Sequence, residues 1–494
     1  MIEQTRIPNW LQKRADLSPT KLAIAFEEQS FTFQELYDAS LSFSKKLHYA
    51  GIRKHQVVGV LQSNSPEMAL TIHALLHLGA EMVLFNTRLT KEELSWQFRH
   101  AQIQWIITEN AFQPICDETL EKASCIYVEE LPHMKESDDF EPRKEFDLQQ
   151  TATIMYTSGT TGFPKGVMQT YGNHWWSSVG SMLNLGLHEN DKWLCTLPFF
   201  HISGLSILLR SVIYGMSVVV HKQFQADKAN RAIEEQDVTI MSVVTATLNR
   251  MLHELGERKY PSSFRCMLLG GGPAPLTILE TCKEKGIPVF QTYGMTETAS
   301  QIVTLSPQDS VRKLGSAGKA LFPSQIKIVC DGETAEAGTV GEIFVKGPNV
   351  TVGYIHQAEA TEKAFEHGWL KTGDMGYCDH EGFLYVVDRR SDLIISGGEN
   401  IYPAEIEAVL MKHPAVYEAG VAGIEDEMWG QVAAAFIVPY TDDIDLEDIR
   451  EHCQTYLASY KVPKRFYVVR ELPRNSANKL VRRNLVKLLE DEEG

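Results

Sequence analysis

Short apolar runs alternate with amphipathic stretches along most of the chain, and this alternation predicts an α/β fold. Residues 57–61 read as a buried strand, and residues 66–78 carry apolar side chains at helical spacing. Residues 130–148 are charged and poor in apolar side chains, so we expect a loop there. Further strands are predicted at 23–26, 82–85, 193–197, 267–269 and 289–293, and a further helix is predicted at 175–185.

Glycine-rich turns follow two of these predicted strands. The first is Gly270, Gly271 and Gly272, whose lack of side chains offers a surface on which a flat base can lie. Taken alone, three glycines before a helix are often only a tight connection. Layered α/β sheets bind ligands at the carboxyl ends of their strands, so both turns are candidate site segments. The second turn contains Gln291, Thr292, Tyr293 and Gly294, which are further candidates for binding the nucleotide.

The pattern changes near residue 390. A predicted strand at 382–387 is followed by a wholly polar connector at 388–392. After it, strands and helices resume, including the amphipathic stretch 403–410. We therefore predict one domain over 1–388, a hinge at 389–392 and a second domain over 393–494. The alternative is that the connector is one more surface loop.

The composition indicates a multidomain protein and excludes several classes of protein. At 494 residues the chain exceeds the size of a single hydrophobic core, so two or more domains are expected. The formal charge of −17 argues against nucleic acid as a partner. The eight cysteines contain no C-x-x-C pair, which suits a reducing cytoplasm. The first residues lack the apolar core of a signal peptide, and no apolar run is long enough for stable membrane insertion.

Behind the β-rich run 153–156 lies the segment T-S-G-T-T-G-F-P-K-G, at 157–166. Its glycines allow a tight turn in which backbone N–H groups and hydroxyls converge on an anion, and its lysine adds a positive charge. The spacing is not that of a Walker loop. An ordinary polar turn is the alternative. The candidate phosphate ligands are Thr157, Ser158, Gly159, Thr160, Thr161 and Lys165.

Polar residues in three later segments complete a candidate nucleotide site. Tyr293 can stack on a base, Thr296 can donate to the α-phosphate, and Glu297 can hold Mg²⁺. Asp374 follows a glycine turn, where its oxygens could accept both ribose hydroxyls. Arg389 supplies a guanidinium at the predicted hinge. A helix-start carboxylate is the alternative for Glu297, and a turn former is the alternative for Asp374.

In order and spacing, these motifs resemble those of the adenylate-forming superfamily, which includes the acyl-CoA synthetases, over essentially the whole chain. The resemblance implies a large, multi-layered N-terminal α/β domain and a small, mobile α+β C-terminal lid. It implies that ATP, Mg²⁺ and coenzyme A are used, with an acyl-adenylate as intermediate. It also implies that Asp374 and Arg389 bind ribose, Thr296 the α-phosphate, Glu297 the metal, and 157–165 the β- and γ-phosphates.

The same resemblance assigns roles in the predicted lid. Lys479 matches a lysine that steadies the charge developing during adenylation, although by itself it reads as a solvated surface residue. Ser396, Gly397 and Gly398 match a loop that lets pantetheine pass close to the backbone. Ser391 matches the pivot position, where Asp or Lys is more usual. Lys479, His201 and Thr296 are thus the candidate catalytic residues.

Four residues are candidates for binding the acid: His201, Arg210, Ser300 and Gln301. His201 occupies a region where amino-acid-activating relatives carry an Asp, which favours an acid without an α-amino group. Arg210 lies in an apolar run and would need an anionic partner if buried, although its side chain could also reach the surface. For both to meet one ligand, His201 must precede the helix that carries Arg210.

Segments 200–206 and 300–307 resemble ligases that attach coenzyme A to 2-succinylbenzoate in menaquinone synthesis. We therefore expect an AMP-forming ligase for an aromatic keto-diacid. The alternatives are another aryl- or medium-chain acyl-CoA ligase, an enzyme that loads a carrier protein, and a non-catalytic nucleotide-binding protein. Small-molecule substrates are the expected partners, nucleic acid is not, and a homo-oligomer is left open.

Overall fold

The computed structural model of the chain describes residues 5–27, 29–119, 123–157, 164–271, 276–388, 393–441, 444–473, 480 and 482–490. The strands up to residue 388 are β1 (Arg6–Pro8), β2 (Leu22–Ala25), β3 (Ser30–Thr32), β4 (Val57–Leu61), β5 (Glu81–Leu84), β6 (Trp105–Thr108), β7 (Ser124–Tyr127), β8 (Glu145–Asp147), β9 (Thr151–Thr157), β10 (Lys165–Thr170), β11 (Lys192–Cys195), β12 (Ser217–Val220), β13 (Ile240–Val244), β14 (Cys266–Gly270), β15 (Val289–Met295), β16 (Ser300–Leu305), β17 (Ser316–Ala320), β18 (Gln325–Cys330), β19 (Glu333–Thr334), β20 (Gly341–Lys346), β21 (Gly353–Tyr354), β22 (Phe365–Glu366), β23 (Trp369–Cys378) and β24 (Leu384–Asp388). The helices of this part are α1 (Trp10–Leu17), α2 (Phe33–Ala50), α3 (Pro66–Leu78), α4 (Lys91–His100), α5 (Gln113–Thr119), α6 (Tyr171–Leu185), α7 (Ile202–Tyr214), α8 (Ala226–Glu235), α9 (Thr245–Leu255), α10 (Leu276–Glu284) and α11 (Ala358–Ala364).

Two sheets and the helices around them form alternating layers. One sheet has seven strands in the order β21-β10-β9-β5-β4-β6-β7, and the other has fifteen and includes β2 and β11 to β16. Buried side chains of α2, α3 and α7 fill the space between the sheets. The outer face of the seven-stranded sheet packs on α4, and that of the larger sheet packs on α8, α9 and α10. The result is an α/β/α/β/α sandwich, as the alternating pattern predicted.

Local sequence signals set the helix limits. In α3, Ser65 caps the first turn, Pro66 occupies the first helical position, and Gly79 ends the helix in the left-handed conformation. Helices α2 and α4 begin with the same device, a capping box in which a threonine and a glutamate bond each other's backbone N–H groups. The two pairs are Thr32 with Glu35 and Thr90 with Glu93.

The parallel strands of both sheets point their carboxyl ends at one cleft. In the larger sheet β11, β13, β14 and β15 run parallel, and in the smaller sheet β4, β5, β6 and β9 do so. Residues at or just beyond the ends of β5, β9, β11, β13 and β14 border the same cavity. The fold therefore brings distant segments of the chain to one place.

A separate five-stranded sheet lies entirely after residue 393. Its strands are β25 (Ile394–Ser396), β26 (Glu399–Ile401), β27 (Val416–Asp426), β28 (Gly430–Pro439) and β29 (Arg465–Val468), and its helices are α12 (Pro403–Leu410), α13 (Leu446–Tyr456) and α14 (Lys487–Glu490). Apolar side chains of α12 and α13 cover one face of this sheet. The boundary at 388–392 stays a prediction, and we call the part after it the lid.

Several predicted limits need correction. The stretch 130–148 is not all loop, since β8 pairs with β1. Helix α6 begins at Tyr171 rather than 175, because Thr170 and Asn173 form its capping box. Strand β11 ends at Cys195 rather than 197. Asp374 lies within strand β23, beside a bulge at the left-handed Gly373, rather than behind a turn.

Candidate active site

A cavity of about 650 Å³ opens between the lid and the carboxyl ends of the parallel strands in the two sheets of the first domain. The first domain contributes strand ends and the start of α7. The lid contributes residues 397–400, at the turn between β25 and β26, together with Tyr402, Met428, Trp429, Tyr460 and Lys461. Within the described residues we find no helix with the length and apolar character that a bilayer span requires.

Many predicted site residues border this cavity, and others do not. Those that line it are Thr157, His201, Arg210, Gly270, Gly271, Thr292, Gly294, Thr296, Ser300, Gln301, Gly397 and Gly398. Those described but not among its lining residues are Lys165, Gln291, Tyr293, Glu297, Asp374 and Ser396. The remaining candidates, Ser158, Gly159, Thr160, Thr161, Gly272, Arg389, Ser391 and Lys479, lie outside the described residues.

His201 precedes helix α7, with an extended backbone at its amino end. This is the placement that lets His201 and Arg210 border one cavity, although they are nine positions apart. The Nε2 atom of His201 lies 3.2 and 3.3 Å from the two carboxylate oxygens of Glu399, which belongs to the lid. The imidazole of His201 therefore connects the candidate acid site with the lid.

Glu399 is a buried carboxylate held by cations of both domains. Burial opposes its ionisation, but the charge and hydrogen bond of His201, together with Arg88 and Lys461, lower the pKa of Glu399 below its ordinary value. The Nη1 atom of Arg88 donates to Glu399 Oε1 at 2.7 Å. Glu399 is thus ionised at neutral pH and links the lid to the floor of the cavity.

Arg210 is a cation with neutral protein partners. Its side chain is buried, with 1% of the residue exposed, and it reaches Gln301 Oε1 at 3.4 Å and Ser177 Oγ at 3.2 Å. The guanidinium also lies 5.8 Å from the ring of Trp193. No carboxylate of the described residues forms an ion pair with it, and burial lowers its pKa. A buried charge of this kind favours an anionic ligand.

Neighbouring groups reinforce this electrostatic picture. Burial, and then the charge of Arg210, lower the pKa of His174 to about 3, so that imidazole is neutral at physiological pH. The Nε atom of Arg210 and the Nε2 atom of Gln301 have no hydrogen-bond partner among the described residues. Both are donors at the wall of the cavity, and an oxygen-rich ligand would satisfy them.

The wall that carries Gln301 is built from an unusual backbone. Ala299 and Ser300 have φ angles of 51° and 103°, which non-glycine residues rarely adopt. Ser177 Oγ donates to the carbonyl of Ala299 at 2.5 Å and so holds this turn against α6. Gly294 pairs with Gln301 across the hairpin of β15 and β16. The backbone of this turn, held by Ser177, therefore positions the Gln301 donor.

We expect Gly294→Ala to damage this wall. A Cβ at Gly294 would overlap the carbonyl oxygen of Ser300 and lie 2.7 Å from Cα of Gln301, both of which are backbone atoms that cannot rotate away. Overpacking of this kind typically costs ~1–3 kcal/mol. Thermal unfolding should show a lower Tm, and steady-state kinetics should show a higher KM for the acid. An unchanged Tm would contradict the close approach.

The predicted nucleotide ligands form pairs beside the cavity. Tyr293 is 2% exposed, and its hydroxyl donates to Asp374 at 2.7 Å. Glu297 is buried and accepts a hydrogen bond from the hydroxyl of Tyr354 at 3.1 Å. Lys165 lies 5.0 Å from the ring of the same tyrosine. Base stacking by Tyr293 and ribose binding by Asp374 stay predictions.

Glu297 suits a metal ion whose other ligands are mainly phosphate oxygens. The described residues contain no group of three or more His, Cys, Asp or Glu side chains that could hold an ion. Mg²⁺ commonly takes one or two carboxylates together with substrate phosphates and water. A single hard oxygen ligand at Glu297 fits that mode of binding.

Some functional contacts were missed from the sequence. Glu399 directly follows the predicted Gly397–Gly398 loop, and its partner Arg88 lies 311 residues earlier. Lys461 is buried and binds carboxylates from both domains. Neither interdomain pairing leaves a local pattern, because the partners lie hundreds of positions apart in the chain. The contact of Ser177 with Arg210 was also missed, and its only signal in the sequence is a polar residue within the apolar helix α6.

Comparison with protein families gives two matches. The family described as AMP-binding enzyme matches residues 11–355, and the AMP-binding enzyme C-terminal domain matches residues 405–479. The chain is 54% identical over 491 residues to a 2-succinylbenzoate–CoA ligase of Geobacillus sp. (strain WCH70), with 99% of each chain covered.

Solved structures of the o-succinylbenzoate CoA synthetase from Bacillus subtilis are also similar, at 49% identity. A double mutant bound to the product analogue OSB-NCoA gives a TM-score of 0.94, covering 98% of this chain and 99% of that chain. The complex with the acyl-adenylate OSB-AMP gives 0.77 (97% and 98% covered), and the complex with ATP and magnesium gives 0.77 (97% and 100% covered). The arrangement described above therefore resembles the product-analogue complex more closely.

Proposed function

The chain belongs to the AMP-binding enzyme family, and from this premise we propose that it is an AMP-forming ligase that joins 2-succinylbenzoate to coenzyme A. The acid is first converted to an acyl-adenylate with release of pyrophosphate, and the thiol then displaces AMP. The substrates are ATP with Mg²⁺, the acid and coenzyme A, and the thioester formed serves menaquinone synthesis.

The observation that carries the choice of acid is the buried guanidinium of Arg210. It lines the cavity without a carboxylate partner among the described residues. A diacid offers one carboxylate for activation and a second for this cation. The unpartnered Nε2 of Gln301, beside it, is a donor for a further oxygen of the same ligand. A fatty acid would leave both groups buried and unsatisfied.

In the first half-reaction, a carboxylate oxygen attacks the α-phosphorus of ATP, and the bond from that phosphorus to the oxygen bridging to the β-phosphate breaks. Thr296, on the cavity wall, donates to the α-phosphate, while Thr157 and Lys165 flank the loop that we assign to the β- and γ-phosphates. Mg²⁺ held at Glu297 neutralises phosphate charge. Lys479 steadies the charge that develops between carboxylate and phosphate.

In the second half-reaction, the thiolate of coenzyme A attacks the acyl carbon, and the bond to the AMP oxygen breaks. The lid presents Gly397 and Gly398 to the cavity, both with left-handed φ angles. Two consecutive residues without side chains leave room for a thin pantetheine arm. The contact of Glu399 with His201 fixes this loop against the acid site.

All eight cysteines are free, including the buried Cys116, Cys195 and Cys266. Free thiols in the core are typical of a reducing compartment, and we propose a cytoplasmic location.

An acid panel tests the proposed function. Purified protein is incubated with ATP, Mg²⁺, coenzyme A and one acid at a time, and both AMP and thioester are measured. We expect the highest kcat/KM with 2-succinylbenzoate and low values with benzoate and octanoate. A preference for a mono-acid would replace the proposed substrate, and turnover of carrier protein in place of coenzyme A would replace the proposed acceptor.

The hinge assignment gives a second prediction. Ser391→Pro should slow thioester formation several-fold while largely sparing adenylation, because proline fixes one of the few backbone angles about which a lid could turn. Each half-reaction is followed separately by rapid quench, with Ser262→Pro in an exposed turn of the first domain as the control. Equal rates for wild type and Ser391→Pro in both steps would move the hinge away from 389–392.

A further inference from the structure

The segment 86–93, between β5 and the first turn of α4, touches the lid at three places. Asn86 Nδ2 donates to the hydroxyl of Tyr460 at 3.4 Å. Arg88 Nη1 donates to Glu399 at 2.7 Å. Glu93 accepts from the backbone N–H of Ala458 at 3.0 Å and from Lys461 Nζ at 2.5 Å. A single short segment of the first domain therefore meets both the 397–399 loop and residues 458–461 of the lid.

Lys461 is the centre of a buried ionic triad. Its side chain is 5% exposed, and it contacts Glu93 of the first domain and Glu405 of α12, the latter at 2.8 Å. Burial would lower its pKa, but the charges of Glu405 and Glu93 and the hydrogen bond to Glu405 outweigh that effect and raise the pKa of Lys461. The lysine is therefore charged at any physiological pH. Within the triad only the bond to Glu93 crosses between the domains.

Glu93 performs two tasks with one carboxylate. It is the third residue of α4 and closes the capping box with Thr90, whose N–H it accepts at 2.8 Å. The same carboxylate receives the two hydrogen bonds from the lid. If the lid moved away, Glu93 would keep its hydrogen bonds to Thr90 and Lys461 would keep its ion pair with Glu405. The interdomain bonds are thus formed only in the docked arrangement.

We propose that residues 86–93 form a lid-docking segment that selects the orientation for thioester formation, with Glu93 and Lys461 as positioning residues. The inference rests on the proposed two-step reaction. In this orientation Gly397, Gly398 and Glu399 line the cavity. This chain is more similar to the OSB-NCoA complex of the B. subtilis relative, with a TM-score of 0.94, than to its OSB-AMP complex, with a TM-score of 0.77. Glu93 is not among the residues that line the cavity, so it would act through Lys461, which does border it.

Glu93→Gln tests the docking segment without removing the helix cap. Glutamine also closes a capping box, so α4 should remain intact while the charge on Lys461 loses its interdomain partner. Loss of the interdomain charge pair should shift the docking equilibrium about tenfold, which corresponds to ~1.4 kcal/mol. We expect thioester formation from supplied acyl-adenylate to slow about tenfold at low coenzyme A concentration, with the KM for coenzyme A raised.

The adenylation rate, measured as pyrophosphate release without coenzyme A, should stay at the wild-type value. The matched control is Glu35→Gln, which makes the same change in the capping box of α2. It should alter neither half-reaction, and both variants should show similar Tm values. Equal slowing of both half-reactions by Glu93→Gln, or an unchanged thioester step, would overturn the inference. Failure of the wild-type protein to form any acyl-adenylate would instead overturn the proposed function.

Discussion

Lys479→Ala is expected to lower the rate of acyl-adenylate formation about a hundredfold to a thousandfold and to leave thioester formation from supplied acyl-adenylate nearly unchanged. In the described arrangement the lid presents the loop 397–399 to the cavity. We therefore expect the lysine to act in the other orientation, during the first half-reaction alone. Rapid-quench measurement of each half-reaction, with acyl-adenylate supplied for the second, gives the two rates.

Lys412→Ala is the control for this experiment, because Lys412 is an exposed lysine of the lid that lies just after α12. It should leave both half-reactions unchanged. Equal losses in the two half-reactions of Lys479→Ala would show that this lysine supports the lid structure instead of stabilising charge during adenylation.

Arg210→Ala is expected to raise the KM for 2-succinylbenzoate roughly tenfold to a hundredfold, with the KM for ATP unchanged. A charge-assisted hydrogen bond contributes ~1.5–3 kcal/mol, which converts to that range. A mono-acid analogue without the ring carboxylate should bind poorly to the wild type and lose little more in the variant. Steady-state kinetics with both acids and both proteins complete a double-mutant cycle between residue and ligand group.

A second arginine separates this role from a structural one. Arg265 forms two hydrogen bonds, at 2.8 and 2.6 Å, with the buried carboxylate of Asp191. Arg265→Ala should therefore lower stability by ~3–5 kcal/mol, as expected for breaking a buried pair. Arg210→Met should keep or raise the Tm, since it removes a buried charge that lacks a carboxylate partner within the described chain. A large loss of stability in Arg210→Met would assign Arg210 to folding.

Periodicity predicted the elements whose limits are set by nearby residues. Strand β4 and helices α3 and α12 have the expected bounds, because apolar spacing, a Ser or Pro start and a glycine stop act within a few residues. The start of α6 was wrong because its capping box uses Asn173 in place of the usual Glu or Gln. The bulge beside Asp374 depends on pairing with β20, which no local pattern encodes.

The candidate site divides in the same way. His201, Arg210 and Gln301 could be predicted because each breaks an apolar context or follows a motif, and all three border the cavity. The residues that join the lid to the first domain could not be predicted. Glu93 and Lys461 are 368 positions apart, and in the sequence each looks like an ordinary surface charge. Their importance follows from their burial, which can be read only from the packed structure.

The double use of the Glu93 carboxylate has an evolutionary consequence. Glu35 and Glu93 stand in identical capping boxes, so helix formation alone would let glutamine drift into either position. At position 35 nothing further restrains that exchange. At position 93 the substitution would spare the helix yet uncouple the lid, so natural selection acts there on catalysis as well as on folding. Two sites that look equivalent in a propensity calculation should therefore differ in how freely they diverge among descendants of this enzyme.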